Sequence, residues 1–196
     1  ISVPSGVTEV ERRAVEDAVR AAGAQEVELI EEPMAAALGV GLPVFEAKGS
    51  MIVDIGGGTC DVAVISLGGI AARKSIKTAG NALDEAIINY MKKSHNLLIG
   101  TITAEDIKLK IGSAMEYDGE AVMEVRGRNL TDGLPNAIEV TSAEIREILS
   151  VPVSEIIGAI RETLEVTLPE LAADVIDKGI YRTGGPSLLR GLPELI

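Results

Sequence analysis

The sequence predicts a mixed α/β fold built on a three-stranded meander followed by a helix, rather than a doubly wound parallel sheet. Three observations carry this. Met51-Ile52-Val53-Asp54-Ile55 runs into Gly56-Gly57-Gly58-Thr59, and an apolar run resumes at Val62-Ala63-Val64-Ile65. That is the pattern of strand, glycine turn and strand. Gly68-Gly69 then turns into a third run, Ile70 to Ile76, and helical spacing begins at Asn81.

Taken in order, Ile1-Ser2-Val3-Pro4 opens in strand character. Thr8-Glu9-Val10-Glu11 is a capping box that starts a helix running to about Ala22 and stopped by Gly23. Val15, Ala18, Val19 and Ala22 share one face of it. Val27 to Ile30 reads as a short strand. Pro33 suits the first turn of a small-residue helix ending at Gly39. After the meander, Asn81 to His95 is a helix with Leu83, Ala86, Ile87 and Tyr90 inward. Thr103 is expected to cap a helix to Ile111. Ala121 to Val125 and Ala137 to Val140 read as antiparallel strands around a loop rich in Gly, Asn and Asp. Ser142 is expected to cap a helix to about Leu149, Pro152 to start another to Thr167, and Gly179 to Arg182 to form a late strand.

Composition narrows the function. The 196 residues hold no Trp, one Phe and three Tyr, so the core is aliphatic. The net charge of −12 argues against binding a nucleic-acid backbone, which needs clustered Lys and Arg. It also disfavours adhesion to anionic lipid. The lone cysteine, Cys60, excludes an internal disulfide and fits a reducing cytoplasm. No apolar run approaches the ~20 residues of a transmembrane span. The ends carry neither an initiating Met nor a polar tail, and the chain is expected to be a piece of a longer protein.

Glycines let the backbone turn sharply and bring its N–H groups against a ligand, and a concave run of N–H groups favours phosphate. On this segment alone, a plain hairpin and a phosphate site are both open readings. It is neither a P-loop, since no Gly-Lys-Ser/Thr follows, nor a dinucleotide fingerprint, since a strand follows.

Asp54-Ile55-Gly56-Gly57-Gly58-Thr59-Cys60-Asp61-Val62 resembles the second phosphate motif of the superfamily of actin, heat-shock chaperone ATPases and sugar kinases. Leu29-Ile30-Glu31-Glu32-Pro33-Met34-Ala35-Ala36-Ala37 is similar to its connecting segment, and Thr183-Gly184-Gly185-Pro186-Ser187-Leu188-Leu189 to its adenosine motif. Val10 to Ala14, Ala37 to Pro43, Asp84 to Tyr90 and Glu124 to Leu130 together resemble the bacterial actin homologues of the MreB family, over nearly the whole chain.

The resemblance implies an actin-like ATPase fold of RNase H-like layout, a mixed sheet with flanking helices plus a small inserted α+β subdomain. Residues 1–38 would end the first actin-like domain, 39–80 and 142–196 would form the large subdomain of the second, and 81–141 the small insertion. It implies ATP or ADP with Mg²⁺ as ligands. Gly56, Gly57 and Gly58 would donate to the β/γ-phosphates. Asp54 would hold Mg²⁺ through water. Thr59 and Glu32 would orient or accept from the attacking water. Read alone, Glu32 is a helix-start acid.

Glu105, Asp106, Ile107 and Lys108 would meet the ribose and base, although by themselves they read as a solvated helix face. Gly185, Pro186, Ser187 and Leu188 would close over the adenine. Pro186, Lys110 and Ala79 depart from the family pattern; Cys60 reads as a small buried hydrophobe and His95 as a charge at a helix C-terminus.

The implied role is an ATP-hydrolysing cytoskeletal protein that polymerises into filaments and directs cell shape. Its partners would be copies of itself, with Val10, Ala14 and Ala18 on a pairing face, and cell-wall synthesis proteins at the inner membrane. The intact family is cytoplasmic and membrane-associated. A chaperone-like ATPase and a non-catalytic interaction module are the alternatives. This chain alone is expected to be a weak ATPase, since hydrolysis depends on positioning by both walls of a cleft.

Overall fold

The computed structural model describes residues 1–196. In chain order the elements are β1 (Ser2–Val3), α1 (Glu9–Ala21), β2 (Ile30–Glu31), α2 (Glu32–Gly39), β3 (Ser50–Ile55), β4 (Cys60–Ser66) and β5 (Gly69–Ile76). There follow α3 (Gly80–His95), β6 (Leu97–Leu98), α4 (Thr101–Ile111), β7 (Val122–Asn129), β8 (Pro135–Thr141), α5 (Ser142–Glu165), α6 (Pro169–Lys178) and β9 (Ile180–Thr183). A short 3₁₀ turn, Gly185–Leu188, and α7 (Leu192–Leu195) end the chain.

These elements form two compact units. The first comprises Ile1–Ile55, Thr59–Lys77 and Ala159–Thr183, the second Gly56–Gly58, Thr78–Gly158 and Gly184–Ile196.

The first unit is organised by a four-stranded sheet in the order β5-β4-β3-β9. The meander is antiparallel, and β9 adds in parallel to β3, with Met51 opposite Ile180 and Asp54 opposite Thr183. The unbroken apolar run of the central strands has a simple cause. Met51, Ile52, Val53 and Ile55 on β3, and Cys60 and Val62 to Ile65 on β4, are all 0% exposed, so both faces of the strands are covered. Each such aliphatic side chain contributes about 1.5–3 kcal/mol of burial. Ile52, Ala63 and Ile65 pack with Ala37, Leu42 and Val44, which seats α2 and the loop after it.

The β4–β5 connection is a two-residue turn with positive φ at Leu67 (51°) and Gly68 (75°), the geometry that matches strand twist. Gly49 is required before β3, because a Cβ there would stand 2.5 Å from the Leu171 carbonyl oxygen. Its N–H donates to Asp174 Oδ2 at 2.6 Å, which docks α6 on the strand.

The second unit packs α3 on α4 beside a three-stranded antiparallel sheet, β6-β7-β8. Leu83, Ile87 and Met91 of α3 and Ala104, Ile107 and Ile111 of α4 are buried. Asn96 ends α3 in the left-handed region.

Several sequence expectations are corrected. The helix expected to run to about Ala22 ends at Ala21; its Thr8–Glu11 capping box is present and none of its residues is buried. The strand expected over Val27–Ile30 is reduced to Ile30–Glu31, since its ladder with β1 is two residues long. Helix α4 begins at Thr101 behind Gly100, and Thr103 caps nothing. Strands β7 and β8 run through the positions assigned to a loop, leaving only 130–134 between them.

The two helices expected around Pro152 are one helix of 24 residues. An interior proline costs about 3 kcal/mol. Burial of Ile145, Leu149, Val153, Ile156, Ile160 and Thr163 at helical spacing on both sides of it offsets that cost. Its cap is Thr141, in a capping box with Glu144. Ser142 Oγ instead accepts from the Ala121 N–H at 3.0 Å. Helix α6 was not anticipated.

Candidate functional site

In the first unit, the last turn of β3 and the first of β4 set two carboxylates side by side. Asp54 and Asp61 are direct cross-strand partners, a like-charge pairing that is unfavourable unless something compensates it. Asp54 Oδ1 accepts from Thr183 Oγ1 at 2.7 Å, a bond made possible by the parallel β3–β9 register. Asp61 is 1% exposed; its Oδ1 accepts from the Ser5 N–H at 2.9 Å and its Oδ2 has no hydrogen-bond partner.

Glu31 ends β2 and Glu32 begins α2, and the two have opposite surroundings. Arg73 reaches both oxygens of Glu31 at 2.8 Å, and Arg12 lies 3.7 Å away. Glu32 has no cationic partner. Burial, then the charges of Asp61 and Asp54, raise its carboxyl above the ordinary range. The same three causes push the buried Cys60 thiol up to about 12, so Cys60 is no nucleophile. Thr59 is half-buried at the end of the glycine turn.

The orphaned oxygen belongs to the buried Asp61; Asp54, half-buried, is the more open carboxylate of this like-charge pair. No group of three or more His, Cys, Asp or Glu side chains is arranged to ligate a metal directly. A cation held by Asp54 through water fits this donor set better than one bound by an all-protein cage.

The second unit contains a cleft of about 510 Å³. That lies in the range of small-molecule pockets, about 300–1,000 Å³. One wall is the glycine turn with the start of α3: Gly56, Gly57, Gly80 and Asn81. The Gly80 N–H donates to the Gly56 carbonyl at 3.0 Å and the Asn81 N–H to the Gly57 carbonyl at 2.8 Å. Across a trans peptide the N–H points opposite to the carbonyl. The N–H groups of Gly57 and Gly58 therefore point away from α3, available to an anion.

The second wall is one face of α4. Glu105, Lys108, Leu109 and Gly112, at i, i+3, i+4 and i+7, line the cleft. Asp106 and Ile107 do not line it: Asp106 is ion-paired with Lys110 at 2.7 Å, and Ile107 is fully buried. The third wall is Gly185, Pro186, Leu188, Leu189 and Arg190. Ser187 is turned inward, its Oγ donating to the Gly184 carbonyl at 2.6 Å. Pro186 packs closely on Gly80, where a Cβ would stand 3.0 Å from Pro186 Cγ. Leu188, 84% exposed, and Leu109, 71% exposed, leave apolar surface at the cleft.

The sequence reading missed Gly80, Asn81, Asp84, Leu109, Gly112, Leu189 and Arg190. Helical spacing from Glu105, i+4 and i+7, would have found Leu109 and Gly112. Nothing local marks Arg190, whose guanidinium lies 4.1 Å from the Tyr117 ring centroid.

The glycine-turn meander with its paired carboxylates in the first unit, and the cleft walled by Gly56, Gly57, Gly80 and Gly185 in the second, are those of an actin-like ATPase fold. The family model for MreB/Mbl protein matches residues 1–196. The chain belongs to the MreB/Mbl family. It is 52% identical to the cell shape-determining protein MreB of Escherichia coli (strain K12) over 196 residues, all of this chain and 56% of that protein. It is 45% identical to the cell shape-determining protein Mbl of Bacillus subtilis (strain 168), over all of this chain and 59% of that one. The crystal structure of MreB5 of Spiroplasma citri bound to AMPPNP superposes with a TM-score of 0.92 at 44% identity, covering 96% of this chain and 57% of that one. The chain thus spans little more than half the length of these relatives. No helix is long and apolar enough to cross a membrane.

Proposed function

We propose that the cleft of the second unit binds an adenine nucleotide, and that the protein is an ATP-hydrolysing, actin-like filament protein that directs cell shape. The observation that carries this reading is the glycine-walled cleft. It offers backbone donors on one side, a buried ammonium, Lys108, on the second, and apolar surface on the third. Two relatives are named as cell shape-determining proteins, and MreB5 of Spiroplasma citri has been crystallised with AMPPNP and with ADP.

In this reading Gly56, Gly57 and Gly58 donate to the phosphates. Glu105 and Lys108 face the sugar, and Leu109, Pro186 and Leu188 contact the base. Asp54 holds Mg²⁺ through water, and the cation would neutralise phosphate charge. Glu32 and Thr59 orient the attacking water, and burial with the charges of Asp61 and Asp54 raises the Glu32 carboxyl, which makes its carboxylate a stronger base than an ordinary one. The subdomain division 39–80 with 142–196 around 81–141 belongs to the same proposal, as do self-association into filaments and partners in cell-wall synthesis at the inner membrane.

The test is displacement of a fluorescent ADP analogue. ADP should displace it, whereas pyrophosphate should do so only at far higher concentration. Equal displacement by both would reduce the cleft to a simple anion site. Sedimentation with and without ATP reads self-association.

A further inference from the structure

Helix α4 ends at Gly112, and the segment after it meets the third wall of the cleft at Arg190. The Ala114 N–H donates to the Arg190 carbonyl at 2.7 Å, and Ser113 pairs with Arg190 in an isolated parallel bridge. At the next residue, Gly191, φ is +77° and a Cβ would stand 2.8 Å from the Met115 nitrogen. Backbone contacts therefore fix where Arg190 sits. One side-chain contact fixes its guanidinium: the centroid of the Tyr117 ring lies 4.1 Å from Arg190 Cζ.

The charges around this contact give it meaning. In a chain of net charge −12, Arg190 forms no ion pair. Two carboxylates of the same segment, Glu116 and Glu120, pair with Arg146 instead. The Tyr117 hydroxyl is buried without a hydrogen-bond partner. What Tyr117 brings to Arg190 is thus the face of its ring, whose quadrupole attracts a guanidinium, the more so where water is excluded. Arg190 lines the cleft with Pro186, Leu188 and Leu189. Without the ring, a flexible cation that no carboxylate holds is free to turn over the cleft, and the wall loses a tether to the end of α4.

We propose that Tyr117 is a positioning residue for the cleft: its ring fixes the Arg190 guanidinium and so holds the Gly185–Arg190 wall against the end of α4. This rests on the reading of the cleft as a nucleotide site, in which that wall meets the base. Tyr117 does not itself line the cleft; it acts through Arg190.

The experiment is calorimetric titration with ADP of the wild type, Tyr117→Leu, Tyr117→Phe, Arg190→Gln and the double variant Tyr117→Leu, Arg190→Gln. Leucine keeps apolar bulk and lacks the π face. ADP affinity of Tyr117→Leu should fall about threefold to thirtyfold, the span of a partly desolvated cation–π contact. Tyr117→Phe keeps the face and loses only the unpartnered hydroxyl, so it should bind within about twofold of the wild type. The two residues act as a unit, so the double variant should bind no more than about twofold more weakly than the weaker single variant. Unchanged affinity in Tyr117→Leu would overturn the proposal, and so would a Tyr117→Phe as weak as Tyr117→Leu. Losses that multiply in the double variant would also overturn it, because Arg190 would then act on the ligand without Tyr117. If Tyr117→Leu does not fold, Tyr117→Met, whose flexible chain fills irregular gaps, takes its place in the same cycle. Failure of the wild type to bind ADP would overturn the nucleotide reading and this inference with it; wild-type binding that Tyr117→Leu leaves unchanged overturns this inference alone.

Discussion

Substituting Gly57 by alanine separates ligand binding from folding. A Cβ at Gly57 would meet only the Asn81 side chain, with Oδ1 at 3.4 Å and Cγ and Nδ2 at 4.0 Å. These are ordinary contacts with an exposed side chain that can turn aside. The backbone at Gly57 is not in the left-handed region, so alanine is not strained there. Folding stability should therefore change by less than about 1 kcal/mol, and replacing glycine at a compatible site can even stabilise. Gly57 and Asn81 both line the cleft, so the added methyl narrows its glycine wall. Overpacking of a fitted site costs about 1–3 kcal/mol. ADP affinity should fall about tenfold to a hundredfold, since each 1.4 kcal/mol is roughly tenfold. Urea unfolding and calorimetric titration of the same preparation give both numbers. Unchanged ADP affinity would refute the placement of the phosphates at this turn. A stability loss as large as the affinity loss would refute the claim that the turn is open on the ligand side.

Other outcomes follow from the same geometry. Gly49→Ala should destabilise the protein by more than about 2 kcal/mol, because the Cβ would lie 2.5 Å from the backbone oxygen of Leu171; denaturant midpoints measure this. Thr141→Ala removes the cap of α5 and should cost about 1 kcal/mol, measured the same way. Glu32 has a raised carboxyl, so the folded state holds its proton more tightly than the unfolded state. Its contribution favours folding below the ordinary value of 4.5 and is lost as pH rises through the raised value. Glu32→Gln should flatten that fall, read from urea midpoints across a pH series. Glu144 has the opposite sign. Its hydrogen bonds with Thr141 lower its carboxyl, so its stabilisation is present above the ordinary value and lost as pH falls through the lowered one; Thr141→Ala should reduce this acid sensitivity.

Much of the first unit was legible in the chain because burial on both faces of β3 and β4 writes an unbroken apolar run, and because glycines mark the turns between the strands. The capping box of α1 was legible for a similarly local reason. The helix α5 was misread by giving Pro152 and Ser142 their usual meanings. The proline is tolerated because tertiary burial continues past it, and the true cap signature, Thr141 followed by Glu144, stood one residue earlier. Helix α6 had legible signals in Pro169 and Glu170 at its first turn. In the cleft, a contiguous run such as Glu105 to Lys108 cannot all face a ligand on a helix, whose residues turn about 100° each. Asp84 and Arg190 reach the cleft through long-range packing, of α3 on α4 and of 190 beside Ser113 and Tyr117, which no local pattern records.

The central claim is that this chain holds an adenine nucleotide. The most direct measurement is calorimetric titration of the chain with Mg²⁺-ADP, alongside Gly57→Val. Saturable one-to-one binding near the micromolar range, about 8 kcal/mol, is expected for the wild type and its loss for the variant. Absence of binding by the wild type, or equal binding by Gly57→Val, would contradict it.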